Sequence, residues 1–408
     1  MPVSAKEREP ASAGRANDAL SHDELVARAA ALIPQLRERV GEAETLRKMP
    51  PSNVEAVRKA GLFRVLQARR YGGHQQSLRT HIDTIATVAQ GCGSTAWCMG
   101  VIQAHSWLMA HFPQAAQEET FGSNPDALIS AVISPRGQAK PAKGGYVLNG
   151  VWPFGSGSQH ADWLFLGAAI LDGKGEVVDE ADLLVPTADV TIKDDWNVTG
   201  LRGTGSCTIL VKDLFVPEHR YVSLRGLIAG KTPGTALHEG TLYKSAGVPV
   251  LALALTPCAL GIARTALEAF KQRLPGREVA YTEREKQIEM PVTHVQAASA
   301  VTRIDVAEAL LYRCADEIAA AAERGEMMEF TKRARVRADC AFAVRQCLEA
   351  VEILYLASGG SGIADSSALG RAWRDLHAVN MHGLLNLETN MELYGRVVLG
   401  LKPNTPLI

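Results

Sequence analysis

Residues 127–170 read ALISAVISPRGQAKPAKGGYVLNGVWPFGSGSQHADWLFLGAAI, and within them the apolar period changes from that of a helix to that of a strand. Short runs rich in Val, Ile, Leu and aromatics, at 127–133, 146–154 and 163–170, are separated by clusters of Gly, Pro, Asn and Asp that turn the chain. Two further runs, 181–185 and 207–216, continue the pattern. They predict an all-β middle domain.

On either side the helical period holds. Ser21 with Glu24, and Ser52 with Glu55, fit the capping box in which a serine oxygen and a glutamate satisfy free amides at a helix start. Leu25, Leu32, Ile33, Leu36 and Val40 follow the first box at helical spacing, and Gly61 is placed to end the second helix. Beyond residue 240, Val336, Cys340, Val344, Cys347, Val351 and Leu354 lie three or four apart and mark one long helix with a buried stripe. Further helices are expected over 251–273, 291–324 and 376–399. The order is helices (1–126), strands (127–239), helices (240–408), without the βαβ alternation of a dinucleotide-binding sheet. The expected fold is mainly α with a central β domain. Long apolar helices at the C-terminus would form a bundle, whose surplus apolar surface suits an oligomer.

Composition narrows the function. The chain has 408 residues, 47% hydrophobic and 21% charged, in the ordinary globular range. Lys and Arg number 43 against 44 acidic residues, so no single-sign field draws in nucleic acid or an anionic membrane. A small, largely uncharged ligand is expected instead. Seven cysteines without a CxxC pair or zinc-spaced histidines read as buried thiols in a reducing compartment, not as a metal site. The polar start at 1–14 carries no apolar signal region, and the apolar run at 248–263 is interrupted by Pro249 and Pro257 and is too short for the ~20 residues of a membrane span. A cytoplasmic protein with a buried helix there is expected.

Several local strings, in order, are similar to those of the acyl-CoA dehydrogenase superfamily: GLRGTGS at 200–206 followed by VKDLFVP at 211–217. Others resemble its flavin monooxygenase branch, which includes the oxygenases of 4-hydroxyphenylacetate and secosteroid phenol hydroxylases. These are CGSTAW at 92–97, AHSW at 104–107, WPFGSG at 152–157 with His160, and ASGG at 357–360 leading to Arg374, Asp375 and His382. The resemblance implies the acyl-CoA dehydrogenase fold, with a helical N-terminal domain, a β-barrel-like middle domain and a C-terminal four-helix bundle. It also implies a homotetramer and a separate NAD(P)H:flavin reductase that supplies FMNH2 or FADH2.

That branch inserts one oxygen atom of O2 into a small aromatic substrate through a flavin C4a-hydroperoxide, so the protein must hold the flavin ring, exclude water and orient the substrate. By resemblance, Ser156 stands near flavin N5, His105 on the substrate side and His382 near the flavin, with His377 its competitor. Trp97, Ile133, Ser134, Phe154, Gly155, Gly360, Ser361 and Gly383 correspond to flavin contacts, and Arg277 to a phosphate or ribityl contact. Read without the resemblance, Ser156 is a turn serine between two glycines, His105 a core histidine in an apolar helix, and Arg277 a solvated loop residue.

Two departures matter. Many dehydrogenases carry a glutamate base a few residues after the Arg-Asp pair; here 376–383 reads LHAVNMHG, and no glutamate precedes Glu388. An acyl-CoA dehydrogenase remains the runner-up, and a flavin-binding scaffold without catalysis the non-enzyme rival. In the phenol hydroxylases a serine contacts the substrate where this chain has Ala131, and strand alternation sends Ser130 to the other face. Indole-like rings, and sulfur or nitrogen centres, therefore stand beside phenols as substrates.

Overall fold

The structure, a computed structural model, describes residues 19–408; the polar start read at 1–14 lies outside them. Helices α1 (His22–Glu38), α2 (Val40–Leu46), α3 (Pro51–Lys59), α4 (Leu78–Ala89), α5 (Gly93–Met109) and α6 (Gln114–Phe121) form the N-terminal part. The Ser21–Glu24 capping box is present, with both reciprocal bonds made. The Ser52 box is not: Pro51 occupies the first turn, where its missing N–H costs nothing, so α3 starts earlier and Ser52 lies inside it. Gly61, at φ +77°, takes the left-handed position past the end of α3.

Seven strands follow: β1 (Ile129–Ala142), β2 (Gly145–Gly155), β3 (Trp163–Leu171), β4 (Val177–Pro186), β5 (Thr191–Ile192), β6 (Cys207–Pro217) and β7 (Tyr221–Ser223). Their order is β5-β6-β2-β1-β3-β4-β7, with β1 and β3 parallel and every other pair antiparallel. β5 and β7, two and three residues long, are too short to give a period in the sequence. One face of the sheet has its own core around Trp152, Leu164, Leu166, Leu183 and Ile209. Trp152 donates its indole N–H to the Gly167 carbonyl at 2.8 Å. Gly137 and Gly150 leave room for that ring: a Cβ at either would come within 2.2 or 2.5 Å of it. The opposite face sends Phe165 and Leu184 into the main helical core.

Helix α7 (Leu224–Ile228) leads to the C-terminal helices α8 (Gly247–Leu255), α9 (Pro257–Arg273), α10 (Pro291–Glu323), α11 (Phe330–Ala357), α12 (Ala368–Asn380) and α13 (Leu387–Val398). The stripe from Val336 to Leu354 is buried along α11, as its period requires, and all seven cysteines are buried free thiols. Two expected helices are each broken in two. Pro257 separates α8 from α9, because proline lacks the N–H that would continue the ladder. The segment 376–399 leaves the helix after Asn380 and resumes at Leu387, and the connection carries His382 and Gly383. The stretch 247–273 has the length and apolarity of a membrane span, but it packs inside the protein as a helix pair.

Candidate active site

Helix α5 carries Trp97 and His105, and strand β1 carries Ile133 and Ser134. Trp97 and His105 lie eight residues apart on α5, about 12 Å along its axis. Adjacent residues of β1 anchor the two levels. The Ile129 carbonyl accepts from Nδ1 of His105 at 3.0 Å, and Oγ of Ser130 donates to the Ser156 carbonyl at 2.8 Å.

Ser156 sits at the end of β2 in a strained turn. Phe154 has φ +68°, a rare value for a residue with a side chain, and its carbonyl accepts from the Ser156 N–H at 2.9 Å. Phe154 is exposed, with its ring edge-on to Trp196. A Cβ at Gly155 would meet the tip of Ile209 at 2.7 Å and the Cys207 carbonyl at 3.1 Å, so the turn is tightly packed there. Gly157, at φ +71°, closes the turn by donating to the Thr204 carbonyl at 2.9 Å.

The Ser156 hydroxyl lies 3.1 Å from the Trp97 indole N–H and 2.7 Å from Oγ of Ser206. Ser206 is in turn 2.7 Å from Oγ1 of Thr204, whose hydroxyl donates to the Leu201 carbonyl at 2.9 Å. That carbonyl also receives the Thr204 amide at 3.1 Å and the Trp196 indole at 3.3 Å, both longer than the hydroxyl contact. Ser130, Thr204 and Ser206 were not singled out as functional from sequence. The only available signal was that the latter two fall inside the GLRGTGS string.

The two histidines are neutral and of opposite tautomer. Burial pushes each down to about 4. His105 donates from Nδ1 to a carbonyl, so its Nε2 carries a free lone pair. His382 accepts at Nδ1 from the Leu384 N–H at 3.3 Å, so its proton is on Nε2. The His382 ring stands edge-on to Trp97 with centroids 5.6 Å apart. His377 faces elsewhere, against Glu352 at 2.8 Å and the Trp373 ring.

Around His105, Phe165 meets its ring at 83° and stacks on Phe112 at 4.8 Å. Ala131 is the strand neighbour of Phe165, which places its methyl on the same face. The Ser130 side chain is engaged with Ser156 and supplies no hydroxyl there. Past Val132 the β1–β3 register shifts. Ile133 is half-buried and Ser134 exposed, and their carbonyls crowd Gly167 so closely that a Cβ there would lie 2.1 Å from the first.

Arg277, Gly360 and Ser361 form a second group. Arg277 reaches the Ser358 carbonyl and Arg273 reaches Oγ of Ser361, beside Gly359 and the exposed Gly360. Burial and the neighbouring Arg273 hold Arg277 below the usual guanidinium range. Among the described residues no hydrogen bond or ring contact joins this group to Trp97, Ser156 or His382. Gly383 is exposed beside His382, with nothing near its missing side chain. A separate cavity of about 230 Å³ lies between α1, α9 and α12 and is lined by Arg37, Glu44, Thr265, Arg371 and Asp375, with none of the expected site residues in its wall.

No glutamate approaches the Arg374–Asp375 pair from the following segment. Glu388 pairs with Arg345 at 3.0 Å on the outside of α13.

The chain is similar to known proteins over nearly its whole length. Residues 253–387 match the family model described as acyl-CoA dehydrogenase, C-terminal domain. The chain is 35% identical to a flavin-dependent monooxygenase, oxygenase subunit HsaA, of Rhodococcus jostii, over 91% of this chain and 97% of the relative. It is 34% identical to an FADH(2)-dependent resorcinol hydroxylase, oxygenase component, of a Rhizobium species, over 94% and 95% respectively. Among solved structures, XiaF from a Streptomyces species in complex with FADH2 and glycerol superposes with a TM-score of 0.89 at 32% identity, covering 94% of this chain and 97% of that one. Identity of that size over more than nine-tenths of both chains places this protein among the flavin-dependent monooxygenases, as an oxygenase component on the acyl-CoA dehydrogenase fold.

Proposed function

We propose that the chain takes reduced flavin, FMNH2 or FADH2, from a separate NAD(P)H:flavin reductase and uses O2 to hydroxylate a small phenol- or indole-like ring. Trp97, Phe154, Gly155, Ser156, His382 and Gly383 would hold the flavin ring, with Ile133 and Ser134 beside it. The residues fit such a ring: one hydroxyl oxygen, one imidazole N–H and an indole edge converge on a half-buried turn. When bound, the flavin supplies the activation of O2.

The observation that carries the reading is the pair of neutral histidines with opposite tautomers. His382 offers an N–H and no base, which suits holding the ring without removing a proton from it. His105 offers a lone pair, and a phenol O–H or an indole N–H is the donor that complements it. Accepting that hydrogen bond raises electron density on the substrate ring, the property that favours attack by an electrophilic oxygen. Phe165 and Phe112 give the ring an apolar wall and keep water from it. Ala131 leaves the same face without a hydroxyl, so substrate orientation falls chiefly to His105.

Arg273 and Arg277, two adjacent cations, suit the phosphate end of a flavin. Their separation from the ring site, with Leu356, Ile363, Met381 and Leu399 exposed around the C-terminal helices, supports a homotetramer in which the two groups meet across copies. Seven buried free thiols suit the cytoplasm.

The test is to mix the chain anaerobically with photoreduced FMN or FAD and a panel of phenols and indoles, then admit ¹⁸O₂. The expected product carries one ¹⁸O atom. Oxidation of an acyl-CoA by protein that purifies with tight yellow FAD, and no labelled product, would overturn the reading in favour of a dehydrogenase.

A further inference from the structure

A hydroxyl group has one proton and two lone pairs, so a chain of hydroxyls between fixed ends has only one consistent direction. Here both ends are fixed. The Leu201 carbonyl can only accept, and it takes the Thr204 proton at 2.9 Å. Thr204 must then accept from Ser206 at 2.7 Å, and Ser206 must accept from Ser156 at 2.7 Å. At the other end the Trp97 indole N–H can only donate, and it fills one lone pair of Ser156 at 3.1 Å. Ser156 is left with its proton engaged and a single lone pair free.

We propose that Thr204 and Ser206 are positioning residues that fix Ser156 as a hydrogen-bond acceptor, so that the site selects a flavin carrying hydrogen on N5 over one that does not. Reduced flavin has an N5–H that this lone pair accepts. Oxidised flavin has a bare N5 whose lone pair faces another lone pair, and Ser156 cannot turn its proton outward without breaking the chain. The burial of Thr204 and Ser206, 1% and 5% exposed, prevents water from offering Ser206 a substitute partner. The selectivity has a use in an enzyme fed by a separate reductase, because spent flavin leaves and reduced flavin takes its place. The inference rests on the flavin reading of the site.

Thr204→Val removes the acceptor at the head of the chain while keeping its shape. The Ser206 proton then has only Ser156 to donate to, and the Ser156 proton is driven out toward N5. Ser206→Ala frees the Ser156 proton by a second route, and Thr204→Ser keeps the original direction. The experiment measures dissociation constants of full-length protein for FMN and FAD, oxidised in air and dithionite-reduced under anaerobic conditions, by flavin fluorescence and absorbance, with circular dichroism to confirm folding.

The wild-type protein should bind the reduced form at least about tenfold more tightly than the oxidised one, the scale of one hydrogen bond. Thr204→Val and Ser206→Ala should each lower that ratio about tenfold, chiefly by tightening the oxidised form, and Thr204→Ser should restore it. A folded Thr204→Val or Ser206→Ala protein that keeps the wild-type ratio overturns the proposal and leaves the flavin site standing, as does a wild-type protein with no preference. Failure of the wild-type protein to bind either form removes the flavin reading and the proposal with it.

Discussion

The Leu201 N–H donates to Oδ1 of Asp375 at 2.6 Å, tying the GLRGTGS loop of the β domain to α12 of the C-terminal bundle. Leu201 needs such a tie, since its φ of +50° is a strained value for a branched side chain. Asp375→Ala leaves that amide buried without a partner and should destabilise the fold by ~1–3 kcal/mol. Asp375→Asn keeps an acceptor oxygen and should cost less. Urea denaturation of both variants checks the difference.

On the proposed reading of the site, Ser156→Ala removes the acceptor for flavin N5 but leaves Trp97 and the backbone turn in place. The expected outcome is a folded protein that consumes reduced flavin while releasing more hydrogen peroxide and less product. Peroxide yield per flavin oxidised is the measurement. An unchanged yield would remove Ser156 from the site.

His105→Ala should leave flavin binding intact and lower hydroxylation by ~10²-fold, the lower end of what one positioned acid–base group contributes. Single-turnover product formation, with reduced flavin in excess, separates the two effects. Equal loss of flavin binding and turnover would make His105 a packing residue.

Ala131→Ser adds a hydroxyl opposite Phe165, on the face that includes His105. If phenols bind there, the variant should raise kcat/KM for phenols bearing a second polar group by up to ~10-fold, worth about one hydrogen bond. Indoles without such a group should gain nothing. The ratio of kcat/KM values across the two substrate classes reads this out.

Stability should fall in acid through buried histidines. Burial pushes His74, His105, His238 and His382 down to about 4 and His111 to about 3. Between the ordinary histidine value and those values the unfolded chain takes up protons that the folded chain refuses, so stability is full above about pH 6.5 and is lost as pH falls through about 4. Asp182 works in the other direction. Its carboxylate oxygens are buried without partners, and burial alone raises it to about 8. The folded chain holds that proton where the unfolded chain has lost it, so the cost grows as pH rises toward 8. Asp182→Asn should therefore stabilise the protein more at pH 9 than at pH 6, by ~1–3 kcal/mol. Urea midpoints across pH 4.5–9 test both signs.

Much of this molecule was legible in its sequence because local patterns carry it. The change of period at residue 127, the stripe from Val336 to Leu354 and the Ser21–Glu24 cap each arise from contacts within one element, and each appears in the structure. The motif strings also named Ser156, His105 and His382. The errors sit where two local signals compete or a signal is too short. Pro51 outranked the Ser52 cap, Pro257 divided a continuous apolar run, and β5 and β7 were too brief to show a period.

What the sequence by itself determined was therefore the order of elements, the apolar faces and the identity of candidate groups, all properties of neighbouring residues. Only the tertiary structure decided what state those groups are in. The direction of the Thr204–Ser206–Ser156 chain, the opposite tautomers of His105 and His382, the choice of His382 over His377 beside Trp97, and the separation of Arg277, Gly360 and Ser361 from the ring site all depend on partners far away in the chain. A proton sits where its nearest acceptor is, and that acceptor is set by packing, which no spacing along the chain records.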